Sequence, residues 1–293
     1  MARSSIAIGL LAAACFSLMS LSAKLLSARG VSPLATLAAR GWIGWALMTL
    51  QLLSRAAPPA AYIGPSTLWH LIAARCAFGF AAIYLFFWGL KRLPIADATA
   101  LLMTNPVWCL LIGSWWFGER VTLLCATGSA IALTGVLLVA QPTFLFGDGS
   151  TLDAGDKAGT AGAGSAAGTV AVLAASISMA CGYAVVQATS GRVPKTALVN
   201  TFMAANAIIA SLSLLTTGRW RTVPLDDVLV YVLLLSTGLT GYSGQSALTA
   251  SITSGSASIF ALTQTVEVVL SFVWDALFFH SPLTALKVST PLT

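Results

Sequence analysis

The sequence predicts an all-α, multi-pass membrane protein, and three observations carry that reading. Hydrophobic residues make up 57% of the 293 positions and charged residues only 8%, against roughly 25% charged in soluble domains. Mean hydropathy is +0.88. The apolar residues gather into nine runs, each close to the ~20 residues that one helix needs to cross a hydrocarbon layer of about 30 Å.

In chain order the runs are 4–26, 33–53, 68–90, 94–117, 121–141, 168–190, 196–217, 228–250 and 254–279. Turn and breaker residues separate them: Arg29-Gly30 before Pro33, Pro58-Pro59, Lys91-Arg92 before Pro94, Gly191 with Pro194, and Gly218 with Pro224. The first run follows Arg3 but is long, and Leu21 occupies the place where a cleavage site wants a small residue, so it reads as a retained span. The segment 143–167 differs from the rest. It holds Gly147, Gly149, Gly155, Gly159, Gly162 and Gly164 with Asp148, Asp153 and Asp156, lacks any apolar period, and reads as a flexible solvated linker. After Pro282 the chain has only 283–293, interrupted by Lys287 and Pro291, too short for a full tenth span.

On either side of the linker the order of spans restarts, with a shift of about 162 residues. At that shift Ser20 falls on Gly182, Lys24 on Val186, Pro33 on Lys195 and Arg40 on Phe202, so the repeat rests on span order rather than on letters. Five spans per repeat is an odd number, which inverts the second copy in the membrane. The expected organisation is 4–142, 143–167 and 168–293: a first five-helix repeat, the linker, and a second repeat of four helices plus a short stub.

Charge and cysteine usage exclude several function classes. Net charge is +6 and the pI about 9.3, but the basic residues stand singly between apolar runs, which sets topology and meets lipid headgroups rather than nucleic acid. Loop cations split too evenly to orient the chain. Cys15, Cys76, Cys109, Cys125 and Cys181 lie inside apolar runs without CxxC spacing, and no metal or cofactor is expected. HExxH, GxSxG and Walker patterns do not occur, and His70 and His280 lie in different halves, so the chain reads as no enzyme.

Polar residues within the spans are the candidate site, because an ionisable group at a helix centre costs at least ~2.5–3.5 kcal/mol and needs a partner or a wet cavity. In the ninth run Gln264, Glu267, Ser271 and Asp275 recur at helical spacing on one face. Glu267 lies too deep in a continuous helix to snorkel; it either faces a cavity, binding a proton or orienting solute, or pairs with an arginine of a neighbouring helix. Lys24, Arg40 and Arg75 are candidate anion contacts, with snorkelling to headgroups as the other reading. Asn105-Pro106 predicts a kink in the fourth run, with Asn105 beside freed backbone groups and Trp108 one turn on as a stacking or packing residue. Ser17, Ser20 and Lys24, and Ser176, Tyr183 and Gln187, form further polar stripes, whereas Gly238, Gly241 and Gly244 suit close helix packing. Asp97 reads as a helix cap, and Glu119 and Arg120 as a loop pair.

The stretch LPIADATALLMTNPVW (93–108), then FGERVT (117–122) and GVLLVAQP (135–142), resembles the first EamA-type repeat of the drug/metabolite transporter superfamily, in the style of solute carrier family 35, member G. Lys24 with Val31-Ser32-Pro33, Arg40, Arg75 and LTQTVEVV (262–269) add to the resemblance. It implies a ten-helix fold of two inverted five-helix repeats and a central cavity. It also implies movement of a small organic solute by alternating access, with the bilayer as surroundings and a second copy of the chain as a candidate partner. Two departures stand: Glu119-Arg120 has only His280-Ser281 as its later counterpart, and the tenth helix is cut short. The alternative class is a non-transporting, truncated or regulatory membrane protein that pairs with a full-length relative.

Overall fold

The computed structural model describes residues 2–90, 101–118, 161–218, 227–255 and 257–279, with a few isolated positions between them. Among the described residues all regular structure is helical: α1 Ala2–Ala28, α2 Pro33–Ser54, α3 Ala60–Ile63, a 3-10 turn Ser66–Leu68, α4 Trp69–Leu90, α5 Asn105–Phe117, α6 Ala161–Ala188, α7 Lys195–Thr217, α8 Val228–Ser254, α9 Ala257–Thr263 and α10 Thr265–Phe279. The fifth expected run, apart from isolated positions, and the stub after Phe279 lie outside the described residues, as do Asp97, Glu119 and Arg120. So does most of the expected linker, but its last residues, 161–167, are helix: α6 begins at Ala161.

Local chemistry sets the ends. The Ala35 amide donates to Ser32 Oγ at 3.2 Å, and Pro33 begins α2, where its missing N–H leaves no intrahelical bond unmade. The Leu229 amide donates to Asp227 Oδ1 at 2.9 Å to start α8. Gly118 and Gly218 close α5 and α7 with φ of 61° and 64°, a left-handed turn that a Cβ would disfavour.

Among the described residues four stretches are long and apolar enough to cross a membrane by length and composition: Ser5–Ala28, Ala60–Phe86, Ala166–Ala188 and Lys195–Thr217. Large apolar side chains face outward, Trp115 at 87% and Val228 at 76% exposure among them, as befits a surface solvated by lipid.

Two expected spans are broken. The fourth is helical at Leu101 and Leu102, turns at Met103 and Thr104, and resumes as α5 at Asn105, where Pro106 cannot donate to the preceding turn. The ninth was expected as one helix over 254–279; α8 runs on to Ser254, and after Gly255 the chain forms α9, stops at Gln264, and restarts as α10.

The helices pair across the two halves of the chain. α1 packs along α8 and α4 along α6, α2 crosses α7, α5 meets α9, and α5 touches α6 as α10 touches α1. Exchanging first-half for second-half positions leaves this pairing pattern unchanged. Glycines allow the close crossings. A Cβ on Gly238 would meet Ile43 and one on Gly244 would meet Phe16, which is the packing role expected of the α8 glycines.

The tightest crossing is between α2 and α7, where a Cβ at Gly41 would sit 2.5 Å from the backbone nitrogen of Ala207. At Gly44 the nearest atom, 2.8 Å away, is the Sδ of Met203 on a flexible side chain. Gly41→Ala should therefore lower the melting temperature in detergent by the equivalent of about 1–3 kcal/mol, and Gly44→Ala by clearly less. Equal losses would mean that the α2–α7 crossing is looser than described.

Candidate functional site

A cavity of about 440 Å³ lies where the two halves meet, bounded by α1, α2, α4, the broken fourth span, α6, α7, α8 and the α9–α10 pair. Of the candidate residues, Lys24, Arg40, Arg75, Asn105, Tyr183, Gln264 and Glu267 line it.

The Ser32 cap fixes where α2 begins and so sets Arg40 two turns inside it. Arg40 is 5% exposed, and its Nε lies against Gly241 of α8 without a hydrogen-bond partner. Arg75 of α4 is 4% exposed, with its Cζ 4.3 Å from the centroid of the Phe202 ring in α7. Its Nη1 fills a slot left by Gly79 and by Gly182 of α6. Among the described residues neither arginine has a carboxylate partner; the ion pair found there joins Arg29 to Asp227 at 3.1 Å. Glycine on one side and an aromatic face on the other thus hold two buried guanidiniums, neither having snorkelled to a headgroup layer.

Glu267 lies in the first turn of α10 rather than deep in a continuous helix, because the span breaks at Gln264. Ser20 Oγ donates to its Oε1 at 3.4 Å, so its described partner is a hydroxyl of α1 rather than an arginine. An acid there also meets the positive end of the helix dipole. The break itself is satisfied locally: Thr263 and Thr265 hydroxyls donate to the carbonyls of Phe260 and Leu262 at 2.7 and 2.8 Å. Gln264 is 5% exposed with Oε1 unpartnered.

At the first break Thr104 Oγ1 donates to the Leu101 carbonyl at 2.7 Å and Ser176 Oγ to the Leu102 carbonyl at 3.1 Å. Asn105 is held between sulfurs, its Nδ2 donating to Met179 Sδ at 3.4 Å and its Oδ1 accepting from Cys109 Sγ at 3.3 Å. Tyr183 stands edge-on to Phe260, centroids 5.2 Å apart.

Trp108 is outside the cavity. Its indole N–H donates to Thr104 Oγ1 at 3.1 Å and its ring packs on the core, so packing rather than stacking on a solute is its place. The side chains of Ser271 and Asp275 lie outside the described positions. Among the lining residues not singled out from sequence are Gln245, Phe202 and Trp274, whose Nε1 donates to Ser17 Oγ at 2.7 Å.

The cavity is lined by α1 from Phe16 onward, by the first turns of α2 and by α4 from Arg75 onward. The opposite end is sealed. Ser5 Oγ donates to the Ser251 carbonyl at 2.9 Å and Ser251 Oγ to the Ser5 carbonyl at 2.8 Å. A Cβ on Gly9 would come within 2.5 Å of Thr263 Oγ1, and one on Gly255 would strike Ser5.

Residues 3–141 match the model of the EamA-like transporter family. Over 221 residues the chain is 23% identical to the probable transport protein YPL264C of Saccharomyces cerevisiae, covering 74% of this chain and 63% of that one. It is 24% identical to solute carrier family 35 member G1 of Homo sapiens, covering 75% of this chain and 58% of that one. The matched stretch thus spans less than two thirds of these relatives. A solved crystal structure superposes with a TM-score of 0.74 over 97% of this chain and 93% of its own, at 18% identity, a likeness of fold.

The sealed end can be tested by thiol labelling in a cysteine-free background. Ser27→Cys, at the exposed cavity margin, should react with a charged methanethiosulfonate, while Ser5→Cys and Ser251→Cys stay protected. Fast labelling at position 5 or 251 would mean that the seal is open in the resting protein.

Proposed function

We propose that this chain, an integral membrane protein of the EamA-type group in the drug/metabolite transporter superfamily, carries a small organic anion across the membrane by alternating access. One observation carries the reading. Arg40 and Arg75, both on first-half helices, are buried in a single cavity, neither paired with a carboxylate among the described residues, and Gly182, Phe202 and Gly241, against which they lie, belong to second-half helices. A pair of guanidiniums so placed favours an anion, since each offers a planar fork of donors.

The chain is read as two repeats, 4–142 and a second that begins with α6, joined by the Gly/Asp segment. The exchange-symmetric helix pairing and the break in the fourth span of each half support that division. Rocking of the halves would part the Ser5–Ser251 seal and close the other side around the same arginines. The function is carriage rather than chemistry, in keeping with the names of the matched relatives, which give the regulatory alternative no support.

Glu267 is the coupling residue in this reading. Lys24, Arg40, Arg75 and Tyr183 share the cavity with it, and its ionised form sets one negative charge against an incoming anion. Protonation removes that charge, so uptake should rise as pH falls, the proton moving with the solute.

In proteoliposomes Arg40→Gln and Arg75→Gln should each weaken apparent affinity for an anionic solute about tenfold to a hundredfold, the loss of a hydrogen bond to a charged group. Full uptake in both variants would dismiss the arginines as solute contacts. Glu267→Gln should hold uptake at its acid-side level across pH; a variant whose pH profile matches the parent would remove the proton from the mechanism.

A further inference from the structure

We infer that the solute is an amphipathic organic anion, a single carboxylate or sulfonate on an apolar, aromatic-sized body, rather than a polyhydroxylated or many-charged metabolite. The inference rests on the carrier reading above and narrows its substrate class.

The first ground is which polar groups are left to greet a solute. Most of the polar side chains around the cavity are already committed. Ser20 donates to Glu267, Ser17 accepts from Trp274, and Asn105 is held between Met179 and Cys109. Left over are Arg40 Nε and Gln264 Oε1, which lack a hydrogen-bond partner, and neither guanidinium is paired with a carboxylate among the described residues. A sugar or nucleotide would bring hydroxyls and amides into this space with few groups to receive them, each buried unpaired group costing about 1–3 kcal/mol.

The second ground is the wall. Phe16, Leu21, Ile83, Phe86, Met103 and Leu248 line the cavity. At about 440 Å³ the space takes a ring and a short chain. Apolar walls gain from burying apolar solute at roughly 0.8 kcal/mol per methylene, and gain nothing from a second charge.

The third ground is the geometry of Arg75. Phe202 covers one face of its guanidinium, and Gly79 and Gly182 leave just enough room for Nη1. Held so, the guanidinium has little room to reorient, and its planar set of donors suits a flat carboxylate or one face of a sulfonate.

The test uses the full chain in proteoliposomes with labelled benzenesulfonate, succinate and a hexose phosphate as separate solutes. Benzenesulfonate is permanently charged, so passage without the protein is slow. Benzenesulfonate should accumulate well above protein-free vesicles, with neutral benzenesulfonamide failing to compete. Arg75→Lys, which keeps the charge and loses the fork, should weaken it about tenfold or more. Ile83→Thr, a change in the apolar wall that keeps both arginines, should weaken it about fourfold per methylene-equivalent withdrawn and weaken succinate less. Uptake of succinate or the hexose phosphate in preference to benzenesulfonate would overturn the amphipathic class and leave the carrier standing. Uptake of none of the three, from vesicles whose protein melts cooperatively, would overturn both.

Discussion

The structure depends on keeping two guanidiniums out of water, inside a bundle bathed in lipid, without giving them an acid. In hydrocarbon that is expensive, and the usual remedies are a neighbouring carboxylate or a path to the headgroups. Arg40 and Arg75 take neither among the described residues. Their surroundings are instead a ring face from Phe202 and gaps from Gly79, Gly182 and Gly241. Since most of those groups come from the other half of the chain, the charge stays where it is only while α1 lies on α8, α4 on α6 and α2 on α7. Helix pairing and charge burial are therefore one constraint seen from two sides.

The broken spans follow from the same demand. A continuous helix offers a cavity only side chains, because its backbone groups are spent on one another. Stopping the fourth span at Thr104 and the ninth at Gln264 brings two helix starts, those of α5 and α10, to the depth of the arginines. Interrupted backbone is tolerated at that depth only when its free groups find partners. Here hydroxyls supply them: Thr104 and Ser176 at the first break, Thr263 and Thr265 at the second. Glu267 then occupies the first turn of α10, where the helix dipole and the Ser20 hydroxyl both favour a carboxylate.

How much of this a reader of the sequence meets depends on the residue type. Arg40, Arg75, Lys24 and Glu267 announce themselves because charge in an apolar run is rare, and Asn105-Pro106 announces a break because proline lacks the donor. The second break is silent. The stretch LTQTVEVV has no proline or glycine, and threonine hydroxyls satisfy the carbonyls at the break, so from sequence the run reads as one helix. Phe202 is silent for the opposite reason: among so many apolar residues nothing singles out the one whose ring lies under a guanidinium. Trp108 misleads, since a tryptophan beside a kink invites a stacking role, whereas its N–H is spent on Thr104 one turn back. Family resemblance covers these gaps for the fold but not for the site, because side-chain commitments are decided across helices.

The contacts at the two ends of α1 differ in kind, and the difference bears on the alternating access proposed above. At the sealed end two serine hydroxyls exchange hydrogen bonds with each other's carbonyls, and glycines let the backbones touch. No charge is buried there among the described residues, so parting the seal exposes a few neutral polar groups whose bonds water replaces at small net cost. At the other end Arg29 and Asp227 join the end of α1 to the start of α8 while about a third exposed or more, 32% and 41%, in a setting where ion pairs contribute little. Both end contacts are individually weak. The guanidinium on the Phe202 ring and the hydroxyls on the broken helices lie between them, around the cavity. Under the proposed alternating access, end contacts of this kind would be exchanged while Arg40 and Arg75 keep their surroundings, and an anion bridging the two would add a tie across that middle layer.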